Sequence, residues 1–153
     1  MNVFVDADAC PCRAEIIEVC KRHGVVPVFV ANKGIAGVWR ETNAKMEVVS
    51  GDFDAADDWM VERAQPGDLV LTADLLLAQR VVKNSAAVIS FKGDRLTDDV
   101  IHELVAHREI QKHLREMGLP SAQPMPYNKK HRGTFKSALH LWLERNKPKA
   151  PSA

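Results

Sequence analysis

The hydrophobic pattern switches period several times along the chain, and each switch predicts an element. Asn2 to Asp6 (NVFVD) is a short apolar run of the kind that forms a buried strand, and Pro11 fits the first turn of a following helix. In that helix Ile16, Ile17, Val19 and Cys20 make an apolar stripe running to about His23, where Gly24 is placed to end it in a left-handed conformation. VVPVFV predicts a second strand. The segment ANKGIAGVWRETNAK is glycine-containing and weakly periodic, so a loop with one helical turn at most is expected before a third strand, MEVVS. GDFDAADDWMVERA predicts a helix with Asp54 as N-cap and Asp57 and Asp58 in its first turn, then a turn at Gln65-Pro66-Gly67-Asp68 and a fourth strand, LVLT.

Asp74 opens a largely apolar helix (LLLAQRVV), and AAVISF supplies a fifth strand. From Thr97 a long helix carries Val100, Ile101, Leu104, Val105 and Ile110 and stops near Gly118 and Pro120. The proline-rich, polar stretch SAQPMPYNKKHRG predicts a linker to a last amphipathic helix containing Phe135, Leu139, Leu141, Trp142 and Leu143. KPKAPSA is expected to be a flexible tail.

This alternation predicts a three-layer α/β fold. A mostly parallel five-stranded sheet carries helices on both faces, with further C-terminal helices, as one domain over residues 1–146 and a tail over 147–153. Such sheets bind ligands beyond the carboxyl ends of their strands, where the strand order reverses. Asp6, Asp8 and Asp74 lie at predicted strand ends, and Asp57 and Asp58 begin a helix at the same edge.

Composition narrows the function classes. With 153 residues, 46% apolar and 27% charged, the chain suits one globular domain, and no apolar run approaches the length needed to cross a bilayer. The opening MNVFVDADAC lacks the basic start and long apolar stretch of a signal peptide, so a cytoplasmic location is expected. Cys10, Cys12 and Cys20 are odd in number and clustered, a poor disulfide framework that fits a reducing compartment. Cys10-Pro11-Cys12 is one residue short of the usual zinc or dithiol gap, Cys12 falls in a helix first turn, and the six histidines are scattered and read as surface residues. A net charge of +1 means that a nucleic-acid partner needs a local patch; Lys129, Lys130, His131, Arg132 and Lys136 provide one, which is equally the pattern of a solvated face.

Taken singly, each aspartate has a plain structural use. Asp54 and Asp74 suit helix caps, and Asp57, Asp58, Asp98 and Asp99 complement helix dipoles. Taken together they do not, because two carboxylates about 4 Å apart repel by roughly 4 kcal/mol at an effective dielectric near 20. A divalent cation removes that cost. Mg²⁺ and Mn²⁺ prefer oxygen ligands, and Mg²⁺ recruits substrate phosphates, which points to phosphate-ester chemistry.

The ordered motifs VDADAC, AADDWMVERA and DLVLTAD resemble the acidic motifs of PIN-like and flap-endonuclease-like nucleases over roughly Asn2 to Asp94. That resemblance implies metal ligands at Asp6, Asp57, Asp58 and Asp74. Ala55 and Leu76 depart from it, standing where such nucleases often carry glutamate and a second aspartate, which counts against a full two-metal site. More closely, VDADACP, the ADD and TAD spacing and the RxxF of Arg132 and Phe135 resemble the uncharacterised bacterial YaiI/YqxD family over most of the chain. That family implies no proven activity.

Three functions remain open from sequence. The first is a Mg²⁺- or Mn²⁺-dependent phosphodiesterase acting on RNA or single-stranded nucleic acid. In it Asp6, Asp57, Asp58 and Asp74 are ligands, Asp8 is an outer ligand or base, Asn32 and Lys33 hold the scissile phosphate, and Lys129, Lys130 and Arg132 guide the backbone. The second is a haloacid-dehalogenase-like phosphohydrolase with Asp6 as nucleophile, Asp8 as acid/base, Thr72 and Gly93-Asp94 as later motifs and Lys83 or Lys92 against the phosphate. The third is a binding module of the same fold that has lost the chemistry, with Trp39 and Tyr127 as its stacking candidates. Sequence fixes neither the oligomeric state nor a membrane role, and no membrane partner is expected.

Overall fold

A computed structural model describes residues 1–32, 43–52, 54–123 and 125–147. Five strands form one sheet in the order β3-β2-β1-β4-β5: β1 (Val3–Asp6), β2 (Val28–Ala31), β3 (Lys45–Val48), β4 (Leu69–Leu71) and β5 (Ala87–Ile89). Every neighbouring pair is parallel, with Val5 opposite Phe29 on one side and Leu71 on the other. The helices are α1 (Arg13–Arg22), α2 (Ala55–Arg63), α3 (Leu75–Lys83), α4 (Asp98–Glu116) and α5 (Lys129–Asn146).

Alternation along the strands builds two cores. Val3, Val5, Phe29, Leu69, Leu71 and Ile89 point to one face, where Ile16, Val19 and Cys20 of α1 and Phe135, Leu139, Trp142 and Leu143 of α5 cover them. Phe4, Val30, Val70 and Val88 point to the other, under Met60 of α2, Leu77, Ala78 and Val81 of α3, and Ile101 of α4. The expected three-layer arrangement is therefore present, and its sheet is wholly parallel among the described strands. Because the chain steps outward from β1 to β2 and β3 and then returns to place β4 on β1's other side, strand order reverses between β1 and β4.

Local chemistry sets the boundaries. Gly24, at φ +67, turns the chain from α1 toward β2. Asp74 and Thr97 cap α3 and α4 through their side chains, whereas Asp54 precedes α2 without making a side-chain cap, contrary to expectation. The largest boundary difference is at α5. Asn128 caps it, accepting from His131 N–H while His131 Nδ1 receives Asn128 N–H, so Lys129 to Arg132 form the first helical turn rather than a linker. Gly133 inside an apparent loop had masked this, but the helix leaves open space beside it. No helix among the described residues is long and apolar enough to cross a membrane. The expected tail from Pro148 onward lies outside the described residues.

Candidate active site

β1 ends at Asp6, and β4 is followed by Thr72, Ala73 and Asp74, so the crevice at the reversal of strand order is lined from both sides. Thr72 is fully buried and joins the two: its Oγ1 donates to Asp6 Oδ2 at 2.8 Å and accepts the Asp74 N–H at 3.0 Å. Asp74 Oδ1 accepts from Leu76 and Leu77 N–H at 2.9 and 3.2 Å, capping α3. Each of these two carboxylates thus commits one oxygen to the fold.

Asp57 reaches the same crevice from the first turn of α2. Its carboxyl is pushed up to about 6, first by burial and then by the negative charges of Asp6, Asp74 and Asp54, with Arg80 partly opposing. Asp6 is also raised: burial dominates, the Thr72 hydroxyl pulls the other way, and Asp74 and Asp8 add repulsion. The charge of Asp74 is felt by both Asp6 and Asp57, and that of Asp6 by Asp57, so the three share one crevice. The set is open rather than closed, because among the described residues no three of its oxygens come within 4.8 Å of one another.

The remaining candidates are distributed around this centre. Asp8, exposed in the 3-10 turn Ala7–Ala9, accepts the Asn32 N–H at 3.0 Å, and Asn32 Oδ1 accepts the Ala56 N–H at 2.8 Å. Asn32 therefore braces the start of α2 against the end of β2. Asp58 is turned away: one residue on from Asp57, it pairs with Arg80 at 2.7 Å on the surface. Lys33 and Trp39 lie outside the described residues. Lys83 ends α3 at the opposite, amino-terminal edge of the sheet, whereas Lys92 follows β5 at the crevice edge.

Sequence reasoning did not see the joining role of Thr72 or the groove beside it. A groove of about 450 Å³ runs from Ala9 and Ala73 past Phe91 to Tyr127, with Lys92 and Arg108 on its wall. Arg108 lies mid-helix on α4 and carried no motif. The basic first turn of α5 sits over this same edge, since Tyr127 Oη donates to Phe91 O at 2.8 Å and Gly93 lies so close to Thr134 that a Cβ there would meet its backbone at 2.9 Å. Cys10 and Cys12 follow β1 at this edge, whereas Cys20 lies in the last turn of α1. The hydrogen bond from Cys10 lowers Cys12, and Cys10 is raised by the same bond, while burial pushes Cys20 up to about 12.

Comparison with known proteins assigns the chain to a family. The family model described as "Uncharacterized BCR, YaiI/YqxD family" matches residues 4–145. A UPF0178 protein of Brucella ovis is 42% identical over 145 residues, covering 95% of this chain and 90% of its own, as is one of Brucella suis. A third, from Brucella melitensis, is 41% identical over the same extent. No solved structure matches the chain. The match of the family model to nearly the whole domain, including the strand ends that carry Asp6 and Asp74, makes this chain a member of the YaiI/YqxD family.

Proposed function

We propose that the chain is a PIN-like, Mg²⁺- or Mn²⁺-dependent phosphodiesterase that cleaves RNA or single-stranded nucleic acid at the crevice between β1 and β4. One observation carries the reading: Asp6, Asp57 and Asp74 face one crevice, and Asp6 and Asp57 are held protonation-prone, first by burial and then by neighbouring carboxylates, Asp74 among them for both. An acid cluster with that much mutual repulsion has a use for a cation. The donor set is all oxygen, as Mg²⁺ and Mn²⁺ prefer, and Asp6 and Asp74 each keep a second oxygen beyond the one used in the fold.

Asp6, Asp57 and Asp74 would hold the ion, which when bound supplies a Lewis acid for the phosphate and lowers the pKa of a water. Thr72 fixes the orientation of Asp6 relative to Asp74. Asp8, anchored to Asn32 N–H, stands beside Asp6 as the candidate base, and Arg80 holds Asp58 out of the crevice. Lys92 and Arg108 in the groove and Lys129, Lys130 and Arg132 on α5 place positive charge around the acidic centre, the arrangement a polyphosphate backbone requires.

The test is cleavage of end-labelled single-stranded RNA and DNA by the purified chain with Mg²⁺, with Mn²⁺ and with chelator. Metal-dependent cleavage that Asp74→Asn removes is the expected result. Absence of cleavage together with a melting temperature indifferent to millimolar Mn²⁺ would overturn the reading.

A further inference from the structure

The opposite edge of the sheet gathers a second set of ligand atoms. α1 and α5 run side by side in the same direction: Glu18 pairs with Lys136 at 3.2 Å, and one helical turn further on His23 meets His140. His23 closes α1 just before Gly24, and its imidazole is only 3% exposed. His140 and Glu144 are four residues apart on α5 and so share one side of it. His23 Nε2 lies 2.9 Å from His140 Nδ1, and His23 Nδ1 lies 3.5 Å from Glu144 Oε1. Among the described residues this is the one triad of His, Cys, Asp or Glu whose ligand atoms all fall within 4.8 Å of one another.

We infer that His23, His140 and Glu144 form a binding site for a borderline transition-metal ion, Zn²⁺ being the natural occupant, that fastens the carboxyl-terminal half of α5 to the end of α1. Two imidazoles and one carboxylate are the donor set of open three-ligand zinc sites and a poor match for Mg²⁺. The two imidazole nitrogens now share a single proton. Across a tetrahedral ion with bonds near 2.05 Å they would stand about 3.3 Å apart, so an outward movement of a few tenths of an ångström suffices. His140 is exposed and free to make it, while the packed helices beneath hold Cα positions fixed.

A cation already completes the cluster. Lys147 Nζ lies 3.0 Å from His23 Nδ1 and 3.6 Å from Glu144 Oε1. Its ammonium occupies the Glu144 carboxylate, keeps the ring proton on His23 Nε2 where the metal would bind, and repels an incoming cation, so Lys147 sets the affinity. The carboxyl end of α1 adds the negative end of a helix dipole, which favours either cation. Since α1 leads from the carboxyl end of β1 back to the amino end of β2, this site is at the edge remote from Asp6, and its role is mechanical.

The experiment is titration of the tag-free, chelator-stripped protein with Zn²⁺ followed by melting temperature and calorimetry, with Co²⁺ as an absorbing probe of the ligand field. One tetrahedral ion per chain that survives Asp74→Asn, a melting temperature raised by several degrees in that background and a Co²⁺ band displaced by Zn²⁺ are expected. His140→Ala, a change at an exposed position, abolishes all three. Glu144→Gln weakens binding about tenfold, and Lys147→Met tightens it about tenfold, a gain that a purely structural hydrogen-bond cluster would not show. Asp74→Asn leaves Zn²⁺ binding intact, which separates this site from the carboxylate crevice. Equal binding by the parent and His140→Ala, or none by the parent, overturns the inference.

Discussion

The two edges of the sheet differ in how their charged groups are held. At the carboxyl edge, Asp6, Asp57 and Asp74 repel one another, and a threonine and a helix cap fix two of them. At the amino edge, His23 already has partners on both ring nitrogens, His140 and Lys147, and Lys147 also pairs with Glu144. A site that is frustrated without its ligand is built for chemistry, whereas one that is satisfied without its ligand is built for cohesion. Substitutions at the first should therefore change activity more than stability.

The strongest way to break that contrast is Asp74→Asn. Loss of one of three ligands should lower metal-dependent cleavage by about a hundredfold or more, and His140→Ala should leave it unchanged. Parallel rate measurements on the two variants decide whether the edges are functionally distinct. Thr72→Val comes next, with an expected loss of roughly ten- to a hundredfold, because it frees Asp6 from its fixed orientation while retaining volume. A kcat that falls at unchanged substrate affinity is the signature of lost positioning.

The contrast also explains what the sequence could and could not reveal. The acidic edge was legible because each member is marked locally: Asp6 ends a strand, Asp57 opens a helix and Asp74 follows a strand, and a parallel sheet brings such positions together. Within it, Asp57 and Asp58 were indistinguishable, since only the angular step of one helical residue turns Asp58 to Arg80. The histidine edge was invisible because His23 and His140 are separated by 117 residues and meet only through the packing of α1 on α5. The start of α5 was misplaced because Gly133 and the preceding prolines outweighed the cap at Asn128. All five strands, by contrast, were marked by period and turn residues alone.

Acidity gives a smaller, signed effect. Asp57 titrates near 6 in the folded chain against 3.8 as an ordinary aspartate, so the folded form holds a proton that the unfolded form releases. Stability should therefore fall as pH rises from about 4 to about 6. Asp57→Asn should flatten that decline, and Mg²⁺ should offset it; urea titrations across this range in each condition provide the check. Asp58→Asn should have the smallest effect. It removes a surface pair with Arg80 and should cost about 0–1 kcal/mol with cleavage retained, measured by denaturation and rate. A hundredfold loss of rate there would return Asp58 to the crevice.

The order in which the chain is made gives the α5 docking face a further meaning. The strands that bring Val3, Val5, Phe29 and Leu69 to this face come from the first half of the sequence, yet half of its cover, Phe135, Leu139, Trp142 and Leu143, emerges last. At about 5–20 residues per second, the ribosome leaves that apolar surface open for several seconds after β4 has appeared. A nascent chain should therefore expose this apolar face until residue 143 is free to dock, and stop codons just before Phe135 should yield aggregates rather than a smaller soluble domain.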